Sequence, residues 1–328
     1  MTTILLEMVV LMACGVFWGW ASPAGISARQ LRSVLTTVVY YLFLPALVLK
    51  VIWLAPLGLS SLHIALLAAF GVLTSLAITW FSMRLLSAPA TVAGACLLAA
   101  AWPNATYLGL PLQGALFGEL GRSTAIQYDL FACTPLLLTL GILFARYYGA
   151  VGQRTEFITI DANPGDVVPD KAIPGDQHDN VMIALLRVPP LWAAMLAIVL
   201  NITHVSMPEI VDGSLTLLGN AVVPLMLFSL GLSLRLDSLR WRSIPFLIPV
   251  VVTQLVLMPL LVWLLALMLG VQGMQLHAVV IEAALPSMVL GVVLCDQYGL
   301  DTEIYAAAVS LTMLLSLISL PLWYGFII

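Results

Sequence analysis

The sequence predicts an all-α polytopic membrane protein. It reads as ten transmembrane helices forming two inverted five-helix repeats, with helices 4 and 9 broken and crossing. Three observations carry this. The 328 residues are 62% hydrophobic and 9% charged, with a mean hydropathy of +1.09, more apolar surface than a soluble domain of this size can hide. Ten apolar runs are long enough to span a bilayer. The fourth and the ninth are interrupted by Pro103 and Pro286, at corresponding places in the two halves of the chain.

The runs fall near 4–21, 30–53, 61–86, 90–117, 123–147, 182–203, 211–234, 244–269, 275–298 and 302–327. No positively charged segment with a small-residue cleavage site precedes Ile4, so the N-terminus is read as the first span. Between the fifth and sixth runs lies the long polar stretch from Arg154 to Asn180, with Asp161, Asp166, Asp170, Asp176 and Asp179 among Pro164, Pro169 and Pro174. Such a stretch cannot bury enough apolar surface to fold alone. The organisation expected is a first repeat over 1–148, a linker over 149–181 and a second repeat over 182–328.

The basic residues set the orientation. Arg29, Arg32, Arg84, Arg146, Arg154, Lys171, Arg187, Arg235, Arg240 and Arg242 fall on one side, against Lys50 and Arg122 on the other. The first side, linker included, is then cytoplasmic and both termini lie outside. Five spans per half is an odd number, so a repeated second half enters the membrane from the opposite face, the inverted plan of many secondary transporters. Pro45 matches Pro224, Pro103 matches Pro286 and Pro135 matches Pro321, in rising order along the chain. Phe43-Leu44-Pro45-Ala46-Leu47 also resembles Val222-Val223-Pro224-Leu225-Met226.

The fourth run contains Trp102-Pro103-Asn104 and Gly109-Leu110-Pro111, where a membrane helix normally bonds every backbone group to itself. The ninth contains Glu282-Ala283-Ala284-Leu285-Pro286-Ser287 and then Gly291. Broken backbone at membrane depth is tolerated where it faces protein or a water-filled cavity. Half-helix N-termini that meet there offer unpaired N–H groups and partial positive charge to a small anion, and Asn104 adds an amide donor. A proline kink with an asparagine bonded to a neighbouring helix needs no ligand, and that reading stands for either break alone. Two breaks at matched positions favour a binding site.

Other chemistry is sparse. Glu282, one turn before Pro286, and Asp129, inside the fifth run, are candidate carriers of a coupling proton, or else caps and serine partners. Glu7, Lys50, His63 and His277 are near enough to span ends to snorkel, and structural roles are expected of them. Asp296, Asp301 and Glu303 belong to the outer end of the last two helices. Cys14, Cys96, Cys133 and Cys295 lie in apolar runs without paired spacing and read as free buried thiols. Gly15 and Gly19 form a Gly-x-x-x-Gly pair that is given packing weight only. There is no H-E-x-x-H, no nucleophile elbow and no phosphate-binding glycine loop, so the chain is not read as an enzyme and no catalytic residue, metal or cofactor is assigned. With a formal charge of −4 and no basic patch, nucleic acid is not an expected partner.

Trp102-Pro103-Asn104 followed by Gly109-Leu110-Pro111-Leu112 resembles the fourth-helix motif of the auxin efflux carrier family, which includes the plant PIN-formed carriers and bacterial organic-anion permeases. Glu282-Ala283-Ala284-Leu285-Pro286, Asp296-Gln297-Tyr298-Gly299 and Ser319-Leu320-Pro321-Leu322 resemble its last two helices. Phe43 to Leu47 and Leu230-Gly231-Leu232-Ser233-Leu234 are similar to its second and seventh.

The resemblance implies an architecture related to NhaA and the bile-acid symporters. Helices 1, 2, 6 and 7 form a scaffold and homodimer contact, and helices 3–5 and 8–10 a transport domain moving as an elevator. It further implies crossover prolines at Pro103 and Pro286, and a substrate carboxylate held by Asn104 with backbone around Ser287, Met288 and Val289. The function expected is transport of a small organic anion, a mono- or dicarboxylate, across a bacterial inner (plasma) membrane. Leu130-Phe131-Ala132-Cys133 lacks the amide expected near the site in plant-type members, so whether the passenger is auxin stays open. The alternatives are a sodium-coupled bile-acid-like symporter, and a receptor or channel that does not transport.

Overall fold

A computed structural model describes residues 2–160, 188–233 and 241–328. These residues are helical almost throughout, and among them β geometry is confined to an isolated bridge between Pro103 and Ser287. The first half contains α1 (Thr2–Ala21), α2 (Ala28–Leu54), α3 (Leu59–Leu85), α4 (Ala90–Ala101), α5 (105–117) and α6 (119–160). The second contains α7 (Pro189–Ile202), α8 (Glu209–Ser233), α9 (Ile244–Met268), α10 (Gly273–Ala283), α11 (Gly291–Tyr298) and α12 (Thr302–Ile327).

Among the described residues, six helical runs are long and apolar enough to cross a membrane: α2, α3, the run Ala105–Gly152 through α5 and α6, α8, α9 and α12. Leu6–Ala21, Ala90–Ala101 and Pro189–Ile202 are apolar but shorter. α4 is short because the chain breaks at Trp102, and α10 because it breaks after Ala283.

Local sequence sets the ends. Ser27 and Gln30 form a capping box that starts α2, and Asp301 accepts from the Ile304 amide at 2.9 Å to start α12. α11 stops at Gly299, whose φ of 69° lets its N–H turn back to the Cys295 carbonyl. The turn between α5 and α6 is tighter than the expected five-residue loop, because Gly118 at φ 60° reverses the chain alone. α6 runs on to Ile160, so the stretch read as a linker from 149 begins helical; its acidic residues Asp161, Asp166, Asp170, Asp176 and Asp179 lie outside the described residues.

α1 packs on α8, and α2 lies against both α7 and α8. α3 packs on α4 and α9, and α9 on α10. Buried apolar side chains gather in two clusters, one around α2, α7 and one face of α8, the other around α3, α4, α9, α10 and α12. The α1–α8 contact brings backbones together. A Cβ on Gly15 would strike the Phe228 carbonyl, and one on Gly231 would strike the Met12 carbonyl. Gly15 alone of the Gly-x-x-x-Gly pair serves this contact, since Gly19 faces Ala28 at ordinary distance.

Lys50 pairs with Asp212 of α8 at 2.7 Å, a structural role. One sequence expectation changes here. Cys14 is exposed on α1, whereas Cys96, Cys133 and Cys295 are buried free thiols. The carbonyls left at the end of α2 accept from Asn201 Nδ2, at 2.7 Å for both Trp53 and Ala55, which ties α2 to α7.

Because the neighbour of Gly231 is backbone that cannot rotate away, Gly231→Ala is expected to destabilise the protein by about 1–3 kcal/mol. Gly325→Ala, with open space around it, is expected to be neutral. Thermal unfolding of both variants in detergent checks the contrast.

Candidate functional site

Pro103 and Pro286 each lack a backbone N–H, and the residue before a proline is pushed out of helical geometry. Trp102 is accordingly extended, at φ −115° and ψ 109°. The two interrupted segments meet and repair each other. Asn104 N–H donates to the Pro286 carbonyl at 2.8 Å, and Met288 N–H donates to the Trp102 carbonyl at 2.9 Å, forming a two-bond antiparallel bridge.

Neighbouring helices complete the repair. Gln254 Nε2 of α9 donates to the Leu285 carbonyl at 2.8 Å. From α12, Tyr305 donates its hydroxyl to the Met288 carbonyl at 2.8 Å, and Thr312 Oγ1 accepts from the Ser287 amide and donates to the Ser287 hydroxyl, both at 3.2 Å. Gly291 is required by this arrangement, because a Cβ there would occupy the position of the Tyr305 hydroxyl. Trp102 anchors the other strand by donating its indole N–H to the Cys133 carbonyl at 3.0 Å. That carbonyl is open because Leu137 N–H bonds Thr134 instead.

Beside the bridge lies a cavity of about 370 Å³. Pro103, Asn104, Met288 and Val289 line it, together with Ala105, Thr106 and Tyr107 from the first turn of α5. Pro286 and Ser287, also expected at the site, are placed behind it, and Ser287 turns its hydroxyl to α12. Asn104 is 2% exposed and its Nδ2 has no hydrogen-bond partner within the protein. A buried amide donor without an acceptor costs free energy unless something enters to accept from it. The opposite wall comes from Thr36, Tyr40, Tyr41 and Leu44 of α2, Pro190 of α7 and Met226 of α8. The cavity therefore sits where the two apolar clusters adjoin.

A family model described as membrane transport protein matches residues 1–324. The chain belongs to that family, which includes the auxin efflux carriers. A protein of Methanothermobacter thermautotrophicus described as an uncharacterized transporter is 29% identical over 304 residues, 91% of this chain and 90% of its own. Auxin efflux carrier component 5 of Arabidopsis thaliana is 24% identical over 234 residues, 68% of this chain and 67% of its own. An archaeal transporter of Methanocaldococcus jannaschii is 27% identical over 236 residues.

In this family member the cavity owes its shape to widened turns that the sequence reading missed. π-helical turns run over Val39–Phe43, Ala105–Gly109 and Asp129–Cys133, and each ends two residues before a proline: Pro45, Pro111 and Pro135. A proline cannot return a bond to the turn before it, so that turn loosens and re-aims its side chains. Tyr40, Thr106, Tyr107 and Asp129 reach the cavity from these turns. A fourth case, Thr253–Leu257 before Pro259, shows where a freed carbonyl goes: Leu255 accepts from Trp323 Nε1 at 2.8 Å. Proline spacing was the signal that could have found these residues.

The two candidate coupling carboxyls fall in different surroundings. Asp129 lines the cavity and accepts hydrogen bonds from the Thr106 and Thr134 hydroxyls. Glu282 is fully buried behind the crossover, its carboxyl packed over Gly109 and beside Gln113. Gln113 spends its Nε2 on the Ala278 carbonyl at 2.6 Å, leaving Gln113 Oε1 and both Glu282 oxygens without a donor.

A Cβ on Gly109 would meet the Glu282 carboxyl and lie 2.6 Å from Leu285 Cδ1. Gly109→Ala is therefore expected to wedge α5 from α10 and cost about 1–3 kcal/mol, read as a lowered midpoint of thermal unfolding. Restoration of the wild-type midpoint by the added substitution Glu282→Ala would identify the carboxyl as the obstacle.

Proposed function

We propose that the chain is a secondary carrier that moves a small organic anion, a mono- or dicarboxylate, across the plasma membrane by alternating access. The observation that carries this reading is the buried, unpartnered Nδ2 of Asn104 at the edge of a cavity beside two interrupted helices. The first turn of α5 opens on that cavity, so the positive end of its dipole and its leading amides face the same space as the asparagine. Together they suit a carboxylate, and among the described residues none of the lining side chains is Lys, Arg or His.

The architecture proposed is ten spans in two inverted repeats, with α4–α5 and α10–α11 each counted as one broken span. The pairing of helices supports it. Under the exchange of the two halves the α1–α8 contact corresponds to α7–α2, and α3–α4 corresponds to α9–α10, while α2–α8 and α3–α9 each map onto themselves. Membership of a transport family that includes the auxin efflux carriers supports the carrier class.

The motion proposed is an elevator, with α1, α2, α7 and α8 as the fixed and dimer-forming part. The position of the cavity supports this, since α2, α7 and α8 form one wall and the crossover the other. In this reading the termini lie outside and the chain between the halves is cytoplasmic.

Saturable counterflow of a labelled carboxylate in proteoliposomes tests the carrier. Asn104→Ala removes a donor without disturbing the backbone bridge, so it is expected to weaken carboxylate binding by about 10- to 100-fold, the worth of a hydrogen bond to a charged group. Its unfolding midpoint without ligand should stay near wild type. Wild-type affinity in that variant removes the site assignment. Unitary currents would mark a channel, and dependence of uptake on sodium a bile-acid-like symporter.

A further inference from the structure

We infer that one proton, seated on Asp129, travels with each organic anion. The inference rests on the anion-carrier reading and adds to it the identity and place of the coupling ion. Its first ground is the charge inventory of the cavity. Asp129 and Asn104 line the same space of about 370 Å³, and Thr106, which donates to the Asp129 carboxylate, is two residues from Asn104 in the same turn. Among the described residues, no Lys, Arg or His side chain lines that space. A carboxylate passenger then shares a poorly screened cavity with a second carboxylate, and two such groups hold one proton between them.

The second ground is the way Asp129 is held. Thr106 Oγ1 donates to Oδ2, and Thr134 Oγ1 donates to Oδ1 at 3.0 Å. A hydroxyl both donates and accepts. When Asp129 is ionised both threonines donate to it. When it takes a proton from water, the new O–H donates to one threonine while the other continues to donate to the second oxygen. The same two side chains thus satisfy both protonation states without rearrangement. The proton leaves to water on the far side together with the anion, and no bond other than the carboxyl O–H forms or breaks.

The third ground is the company Asp129 keeps. Tyr40 and Tyr41 of α2, Tyr107 of α5 and Cys133 on its own helix face the same cavity. Tyr128 is buried next to it, and Arg32 lies one turn before Thr36, whose hydroxyl donates to the Arg32 carbonyl. α7 carries no titratable side chain, and α3 approaches with Gly71 beside the Tyr128 hydroxyl. The other carboxyl nearby is Glu282, sealed against Gly109, Leu285 and Gln113 and absent from the cavity wall. Of the two, Asp129 is the one that water and passenger can both reach.

Reconstituted protein and labelled pyruvate, a monoanion, test this, with protein-free liposomes as background. In the wild type an outside-acid gradient is expected to drive accumulation, up to about tenfold per pH unit for one proton per anion. A potential imposed with potassium and valinomycin should leave the uptake rate unchanged, because no net charge moves. Asp129→Asn should keep pyruvate exchange, lose accumulation driven by the pH gradient, and become sensitive to the imposed potential, since each anion now carries a net negative charge. Asp129→Glu should regain the pH drive, and Glu282→Gln should still respond to it. Persistence of the pH drive in Asp129→Asn, or sodium-driven wild-type uptake without a pH gradient, overturns the inference while leaving the carrier intact. A wild-type protein that moves neither pyruvate nor labelled succinate overturns the carrier reading itself.

Discussion

Two backbone hydrogen bonds, Asn104 to Pro286 and Met288 to Trp102, are the constraint on which the rest of this structure depends. In lipid an unpaired peptide group costs several kcal/mol, so a helix cannot simply be interrupted there. Two interruptions placed against each other can satisfy one another, and that is the arrangement here. The same need recruits Gln254, Tyr305 and Thr312, each of which supplies a side-chain bond to a peptide group that the breaks would leave open. These three come from α9 and α12, which explains why the crossover is packed on those helices and leaves its other side to the cavity. Glycine at 109 and 291 leaves room for side chains packed against the crossover, the Glu282 carboxyl and Leu285 at one and the Tyr305 hydroxyl at the other.

The sequence displayed the breaks and hid the walls. Pro103 and Pro286 sit in apolar runs where a proline has an unavoidable backbone consequence, so both interruptions could be read directly, and their pairing followed from matched positions. Tyr40 and Thr106 were harder because no composition marks them, and the charge of Asp129 marked it without placing it at the cavity. They face the cavity because the turn before Pro45, Pro111 or Pro135 is widened to five-residue hydrogen bonds, and a helix wheel drawn at 3.6 residues per turn places them wrongly. Ser287 was misplaced for a related reason. In an extended segment alternate side chains point to opposite faces, so when Met288 faces the cavity its neighbour turns away to Thr312. Lys50 illustrates a different limit, since a partner on another helix is invisible to a single-span reading.

The buried polar groups divide by the bridge. Behind it, Gln113 of α5 and Gln254 of α9 tie those helices to α10 and the residues just after it through side-chain bonds to the Ala278 and Leu285 carbonyls. Networks of this kind fix the register of packed helices, because sliding one element breaks several bonds together. In front of it, Asn104 has an unused donor, and the threonines on Asp129 suit either of two charge states. In the proposed elevator the donors in front keep their geometry through the motion while their hydrogen bonds remain available to a passenger.

For the proposed carrier, a described cavity wall without a basic side chain has a kinetic meaning. A buried Arg or Lys would bind an anion firmly and release it slowly. In this reading peptide dipoles and an amide add no charge of their own to the site, and they hold the passenger by interactions weak enough to release. Asn104 in place of a cation then trades affinity for turnover. The remaining charge in the cavity belongs to Asp129, and its two threonine partners let that charge be cancelled and restored without moving a single helix.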